Sequence, residues 1–176
     1  MRNRLIKYGL YFLFLILFQV LILNNMQFSG YINPYCYILF ILILPFETPG
    51  WLLLVLAFIL GMIIDVFPQG WMVYGSSIGF HIAATVAMAF SRPVILSWIR
   101  SRDEYEPGSN PDANDQGFRW YGLYVVIMVS IHHIVLFFLE EFSFSGIPET
   151  FLRFVLSSVF TILLLLIWEG FRYQRK

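Results

Sequence analysis

Long apolar blocks broken by short polar stretches set the pattern of this chain, and threaded as membrane spans they number six. A helix rises about 1.5 Å per residue and the hydrocarbon core is about 30 Å thick, so a crossing takes roughly 20 residues, 17 at the short end. The first block, about 5–23, holds Gln19 as its one strongly polar interior group, and an uncharged turn at 24–30 follows. The second, about 31–45, is short and aromatic and opens with Asn33-Pro34. Its length fits little tilt, local thinning of the bilayer or a partly re-entrant path. At 46–49 the chain turns, with Thr48 as N-cap and Pro49 as first helical residue of a third span at about 50–66. Residues 67–70 turn again into a fourth span, about 71–91, and Pro93 disfavours helical geometry at Arg92, predicting a break there. The stretch at about 93–117 is Pro/Gly-rich and acidic at its centre, which predicts a flexible loop without a core of its own. Spans five and six are expected at about 118–139 and 150–170, with Glu140, Glu141 and Glu149 in the loop between them. The tail from Phe171 to Lys176 reads as a basic-aromatic anchor. No internal repeat is visible, so residues 1–176 are expected to form a single integral membrane domain, an all-α polytopic membrane protein with six transmembrane helices.

Charge orients this arrangement. Arg2, Arg4, Lys7, Arg92, Arg100, Arg102, Arg119, Arg172, Arg175 and Lys176 fall on one side of the threading, and only Arg153 falls on the other. Basic residues resist translocation, so the crowded side, with both termini, is expected to be cytoplasmic. Composition agrees: 59% of residues are hydrophobic and 12% are charged, against roughly 25% charged in a soluble domain. A formal net charge of zero argues against a nucleic-acid partner, since phosphate binding relies on basic excess. The one cysteine, Cys36, excludes an intrachain disulfide and a Cys-based metal site. The first seven residues look like the start of a signal peptide, but no small-residue cleavage site follows and the apolar run reaches Leu23. An uncleaved first span is therefore expected.

Candidate chemistry lies within the spans. In span four Gly75, Gly79, Ala83, Ala87 and Ser91 recur every four residues, and span three carries Ala57, Gly61 and Asp65 at the same spacing. Between helices in lipid, close backbone approach over small residues supplies the contact that hydrophobicity cannot. Such stripes either pack spans three and four together or receive the transmembrane helix of a partner. Asp65 is the notable acid, because a carboxylate at membrane depth costs several kcal/mol unless paired or hydrated. The threading puts it near the outer interface, level with Glu140, Glu141 and Arg153, so an Asp65–Arg153 or a Glu140–Arg153 ion pair is expected. His81, His132 and His133 lack the convergent three or four ligands of a zinc site, and interhelical hydrogen bonding is the expected role of the two in span five. No GxSxG, Gly-rich phosphate loop or pair of intramembrane aspartates is present. The reading is of a protein that is not an enzyme and that uses no cofactor.

The stretch Gly61-Met-Ile-Ile-Asp65, a short turn with glycines, then Gly79-Phe-His-Ile-Ala-Ala84 leading to Ala89-Phe90 resembles the Gly-x-x-x-Asp pattern and Gly/Ala-rich helix of the MreD family, the rod shape-determining membrane proteins of bacteria. Gly30-Tyr-Ile-Asn-Pro34 with Leu44-Pro-Phe-Glu-Thr-Pro49 is similar to one branch of that family, and the resemblance covers nearly the whole chain. It implies a bacterial cytoplasmic (inner) membrane protein in the cell-elongation machinery. There it would work beside the single-span protein MreC, the wall polymerase RodA with its transpeptidase, and indirectly the actin-like MreB filaments. It also implies a fold similar to the substrate-binding subunits of energy-coupling-factor vitamin transporters. The alternative is accordingly a solute-binding membrane subunit of that type, with an outer pocket near Asp65, Glu140 and Arg153. The acidic loop around 103–115 is longer than the family leads one to expect.

Overall fold

The computed structural model describes residues 2–25, 32–67, 79–100, 105–106, 108–140 and 147–173. Among these every regular element is helical: α1 Arg2–Leu21, α2 Leu39–Ile43, α3 Gly50–Val66, α4 Phe80–Ile99, α5 Ala113–Gln116, α6 Phe118–Glu140 and α7 Ile147–Tyr173, with 3₁₀ turns at Leu23–Asn25 and Cys36–Ile38. Four stretches, Ile6–Asn25, Phe80–Ile99, Phe118–Glu140 and Ile147–Tyr173, are long and apolar enough to cross a membrane, and the 17-residue α3 is a shorter apolar helix. Large apolar side chains such as Leu10, Leu13 and Leu21 of α1 and Phe151, Leu163 and Ile167 of α7 face outward. Water would not tolerate that surface, whereas lipid has no objection to it. The molecule is an all-helical membrane protein.

Helices α3, α4, α6 and α7 pack in succession, and α1 lies across the segment that holds α2. Hydrogen bonds define two ends. At one, here the far end, the end of α1 meets the end of α3, through Asn24 Nδ2 and the Phe67 carbonyl (3.0 Å), and α6 meets α7. At the other, the basic end, Trp120 Nε1 donates to the Ile99 carbonyl (3.1 Å) and Arg172 reaches Asp112.

The expected second span is not a full-length helix. Its helical part, a 3₁₀ turn and five α residues from Cys36 to Ile43, is too short to cross a bilayer by itself, and residues 34–44 are buried on all sides. It forms the centre of the bundle. In a lipid environment both ends of so short a helix need partners for their free N–H and C=O groups, and neighbouring side chains supply them. Gln19, the lone polar residue of α1, accepts from the Cys36 and Tyr37 N–H groups through Oε1 (2.9 and 3.4 Å) while its Nε2 donates to Asn24 Oδ1 and the Pro34 carbonyl. From α7, Ser157 Oγ and Thr161 Oγ1 accept from the Asn33 and Tyr35 N–H groups (3.0 and 3.1 Å). At the other end Arg92 donates from Nη2 to the Leu44 carbonyl and from Nε to Tyr124 Oη (2.7 Å), and Tyr124 in turn donates to the Leu42 carbonyl.

Three further expectations change. Helix α4 starts at Phe80, after Gly79 as N-cap, and runs through Pro93 to Ile99, so the break at Arg92 is absent; the expected stretch at 71–78 lies outside the described residues. Preproline bias is a preference, and here the burial of Arg92 among Leu44 and Tyr124 holds that turn helical. Thr48 does not cap α3; Pro49 holds the N-cap position, and Thr48 Oγ1 closes the preceding turn on the Pro45 carbonyl (2.8 Å). The acidic stretch, read as a flexible loop, is fastened to the bundle where it is described. Tyr105 stacks on Phe46 with ring centroids 4.0 Å apart and donates to the Leu96 carbonyl, and the buried Ala113 gives its N–H to Glu169. Asp112 accepts the Asn114 and Asp115 N–H groups as N-cap of α5.

Candidate functional site

The densest polar geometry sits where α3 crosses α4 at the far end. Gly61 is the point of closest approach: a Cβ there would stand 2.5 Å from Thr85 Oγ1 and 2.6 Å from the Ile82 Cα. Ala57 is fully buried one turn earlier, and its carbonyl accepts from Thr85 Oγ1 at 3.0 Å. One turn later Asp65 ends the stripe. Its Oδ2 accepts the Gly79 and Ile82 N–H groups (2.9 and 3.2 Å), and its Oδ1 accepts the N–H and the Nδ1–H of His81 (3.1 and 2.9 Å). The carboxylate thus takes up donors that the first turn of α4 cannot satisfy within the helix, at the end where the helix dipole favours a negative charge. Four donors on one buried carboxylate explain how it survives at that depth. Gly79, the N-cap, has φ +102° with open space around its Cβ position, so glycine is required there for backbone conformation and not for close packing.

With Asp65 accepting, His81 donates from Nδ1, which leaves the other ring nitrogen, Nε2. That atom is buried without a hydrogen-bond partner among the described residues. The ring lies against Tyr35 and Tyr37, with centroids 5.5 and 6.1 Å away. Beyond Tyr35 are His132 and His133 of α6, both fully buried. His133 Nδ1 lies 3.0 Å from the Val129 carbonyl and its Nε2 3.3 Å from Thr161 Oγ1, while His132 Nε2 meets Tyr37 Oη at 2.8 Å. Thr161, accepting from the Tyr35 N–H, has its own proton for His133 Nε2, so the chain of donors and acceptors is consistent from the central segment to α6. The two adjacent histidines bond between helices, as expected from the sequence. Among the described residues no three His, Cys, Asp or Glu side chains converge on a point fit for a metal ion. The network holds helix ends and the central segment in register, and His81 Nε2 is the ring nitrogen left without a hydrogen-bond partner among the described residues.

No family model, curated protein or solved structure matches this chain.

Of the residues singled out in the sequence, Ala57, Gly61 and Asp65 converge on the α3–α4 crossing. Ala83 and Ala87 do not: the contact face of α4 is His81, Ile82 and Thr85, and the two alanines are half-buried on the side turned away from Gly61. Gly75 lies outside the described residues. The expected Asp65–Arg153 pair is replaced by Asp65–His81, because the start of α4 brings four donors within 3.2 Å of the carboxylate. The alternative pair is present, with Arg153 Nη2 3.4 Å from Glu140 Oε2, and the Arg153 guanidinium also lies over the Phe137 ring. Two residues escaped sequence reasoning. Arg92, counted among the membrane-edge cations, is 2% exposed inside the bundle, and the signal available was its position before a proline within an apolar run. Glu169 is wholly buried near the end of α7, held by the Ala113 N–H (2.9 Å) and by Arg172 Nη1 (2.9 Å).

Proposed function

We propose that this protein is an MreD-type, non-enzymatic membrane scaffold of the bacterial cell-elongation complex, crossing the inner membrane six times with both termini in the cytoplasm. The second crossing is the central segment at 32–45. Support for the orientation comes from Lys7, Arg100, Arg119 and Arg172 at the basic end, against Arg153 at the far end. The observation that carries the reading is the α3–α4 crossing in the stretch that resembles the family. It is locked by Gly61 and Asp65, and it leaves Ala83, Ala87, Phe90, Val94 and Trp98 along one outward stripe of α4. A stripe shallow at Ala83 and Ala87 and bulky at Phe90 and Trp98 suits a crossing helix that approaches closely near the far end. An MreC-type single-span protein and the wall polymerase with its transpeptidase are the partners in this reading, and MreB filaments are reached through them.

The test is affinity purification from native membranes in mild detergent, with mass spectrometry of what accompanies the protein. Recovery of those partners is expected, and Ala87→Leu should lower it several-fold without preventing insertion. Recovery of an energy-coupling transmembrane subunit with its ATPases would instead favour the second reading, a solute-binding subunit of fold similar to the vitamin transporters. The observation behind that alternative is the buried group of Tyr35, Tyr37, His81, His132 and His133. Saturable binding of a small solute to the purified protein would support it.

A further inference from the structure

At the basic end an open groove of about 520 Å³ runs between α1 and α7, lined by Ile6, Lys7, Leu10, Tyr11, Phe14 and Trp168. Phe14 and Trp168 stack across it at 6.0 Å, joining the two helices. It is apolar along its length apart from Lys7 and Tyr11, which also line a small polar pocket of about 30 Å³ with Tyr8, Asn110, Asp112 and Arg172. Lys7 is exposed, stands 5.8 Å from the Tyr11 ring centroid, and has no carboxylate partner among the described residues. The carboxylate in the pocket is already committed, since Asp112 caps α5 and accepts from Arg172.

We propose that this groove binds one acidic phospholipid, its acyl chain along Leu10, Phe14 and Trp168 and its phosphate at Lys7 and Tyr11. An amphiphile needs an apolar track ending in a cation at headgroup depth, and the groove has that order of surfaces. Basic pockets between transmembrane helices select anionic headgroups for the same reason. A zwitterionic lipid fits the track equally well but brings its own cation to Lys7. A partner helix would fill the track and leave Lys7, which has no carboxylate partner among the described residues, with nothing to neutralise it. The inference is independent of which partners the α4 stripe receives.

Trp168 supplies the readout. The full-length protein is reconstituted in phosphatidylcholine vesicles containing rising fractions of brominated phosphatidylglycerol or, in parallel, brominated phosphatidylcholine. Quenching of the Trp168 component is taken as the difference between the native chain and Trp168→Phe. Half-maximal quenching is expected at about a fivefold lower mole fraction of the acidic lipid, which is what one cation contributes near an anionic surface. Lys7→Gln should abolish that preference and Lys7→Arg should keep it. Equal quenching by the two lipids, or a preference that survives Lys7→Gln, would overturn the proposal. So would a Trp168 shielded from both lipids, the result expected if a protein segment occupies the groove.

Discussion

At the far end one carboxylate, Asp65, gathers the starting N–H groups of α4. At the basic end Asp112, Glu169 and Arg172 divide between them the start of α5 and the last turns of α7. Both arrangements satisfy helix ends that would otherwise be stranded, and both use a carboxylate on a neighbouring element. They differ in insulation. The carboxylates are buried at both ends, but the His81 side chain is 7% exposed and that of Arg172 is 28% exposed, so water reaches the cationic partner at the basic end and not the donors at the far end. A similar contact list therefore carries unequal energy, and the inequality is measurable.

The largest effect should follow Asp65→Ala, which strands three backbone donors and His81 Nδ1 together. Removing one partner from a buried charged arrangement costs about 3–5 kcal/mol, and reversible unfolding in mixed micelles should register a loss of that size. A loss under 1 kcal/mol would mean that water reaches the crossing. Gly61→Val comes next, because the added atoms meet the α4 backbone, which cannot rotate away. Overpacking of this kind costs about 1–3 kcal/mol, whereas Gly122→Ala, with open space around its Cβ position, should leave the melting temperature nearly unmoved. Equal effects of the two changes would break the claim that α3 and α4 touch through Gly61. The smallest effect is expected for Arg172→Gln, about 1 kcal/mol, because the guanidinium is partly exposed, glutamine still offers a donor, and the buried Glu169 keeps the Ala113 N–H. A larger loss there would show that the buried Glu169 depends on the charge of Arg172 and not on its remaining hydrogen bond.

Much of the bundle could be read from hydrophobic length. The stretches expected at about 50–66 and about 118–139 coincide with the helices Gly50–Val66 and Phe118–Glu140, since a proline, a glycine or a charge sits near each boundary. Reading failed where apolar composition has more than one use. Residues 36–43 are as hydrophobic as any span, but composition does not say whether a segment faces lipid or its own neighbours. The better clue was Gln19, a residue with four hydrogen-bonding positions and no water to fill them. The fourth span is expected to run unbroken through position 79, where Gly79 instead caps a helix that begins at Phe80. That displacement concealed the pairing of Asp65 with His81, whose backbone became a helix start only once the boundary moved. The partner of Asp65 did not follow from the threading, because three N–H groups and the His81 ring at the start of α4 already occupy the carboxylate.

The central segment also has a history within each molecule. Tyr35 depends for its backbone hydrogen bond on Thr161, 126 residues later. At a synthesis rate of about 5–20 residues per second that interval is roughly 6–25 s. Until it has passed, the N–H group must be served by water or by the insertion machinery. The protein's core is thus closed only near the end of synthesis.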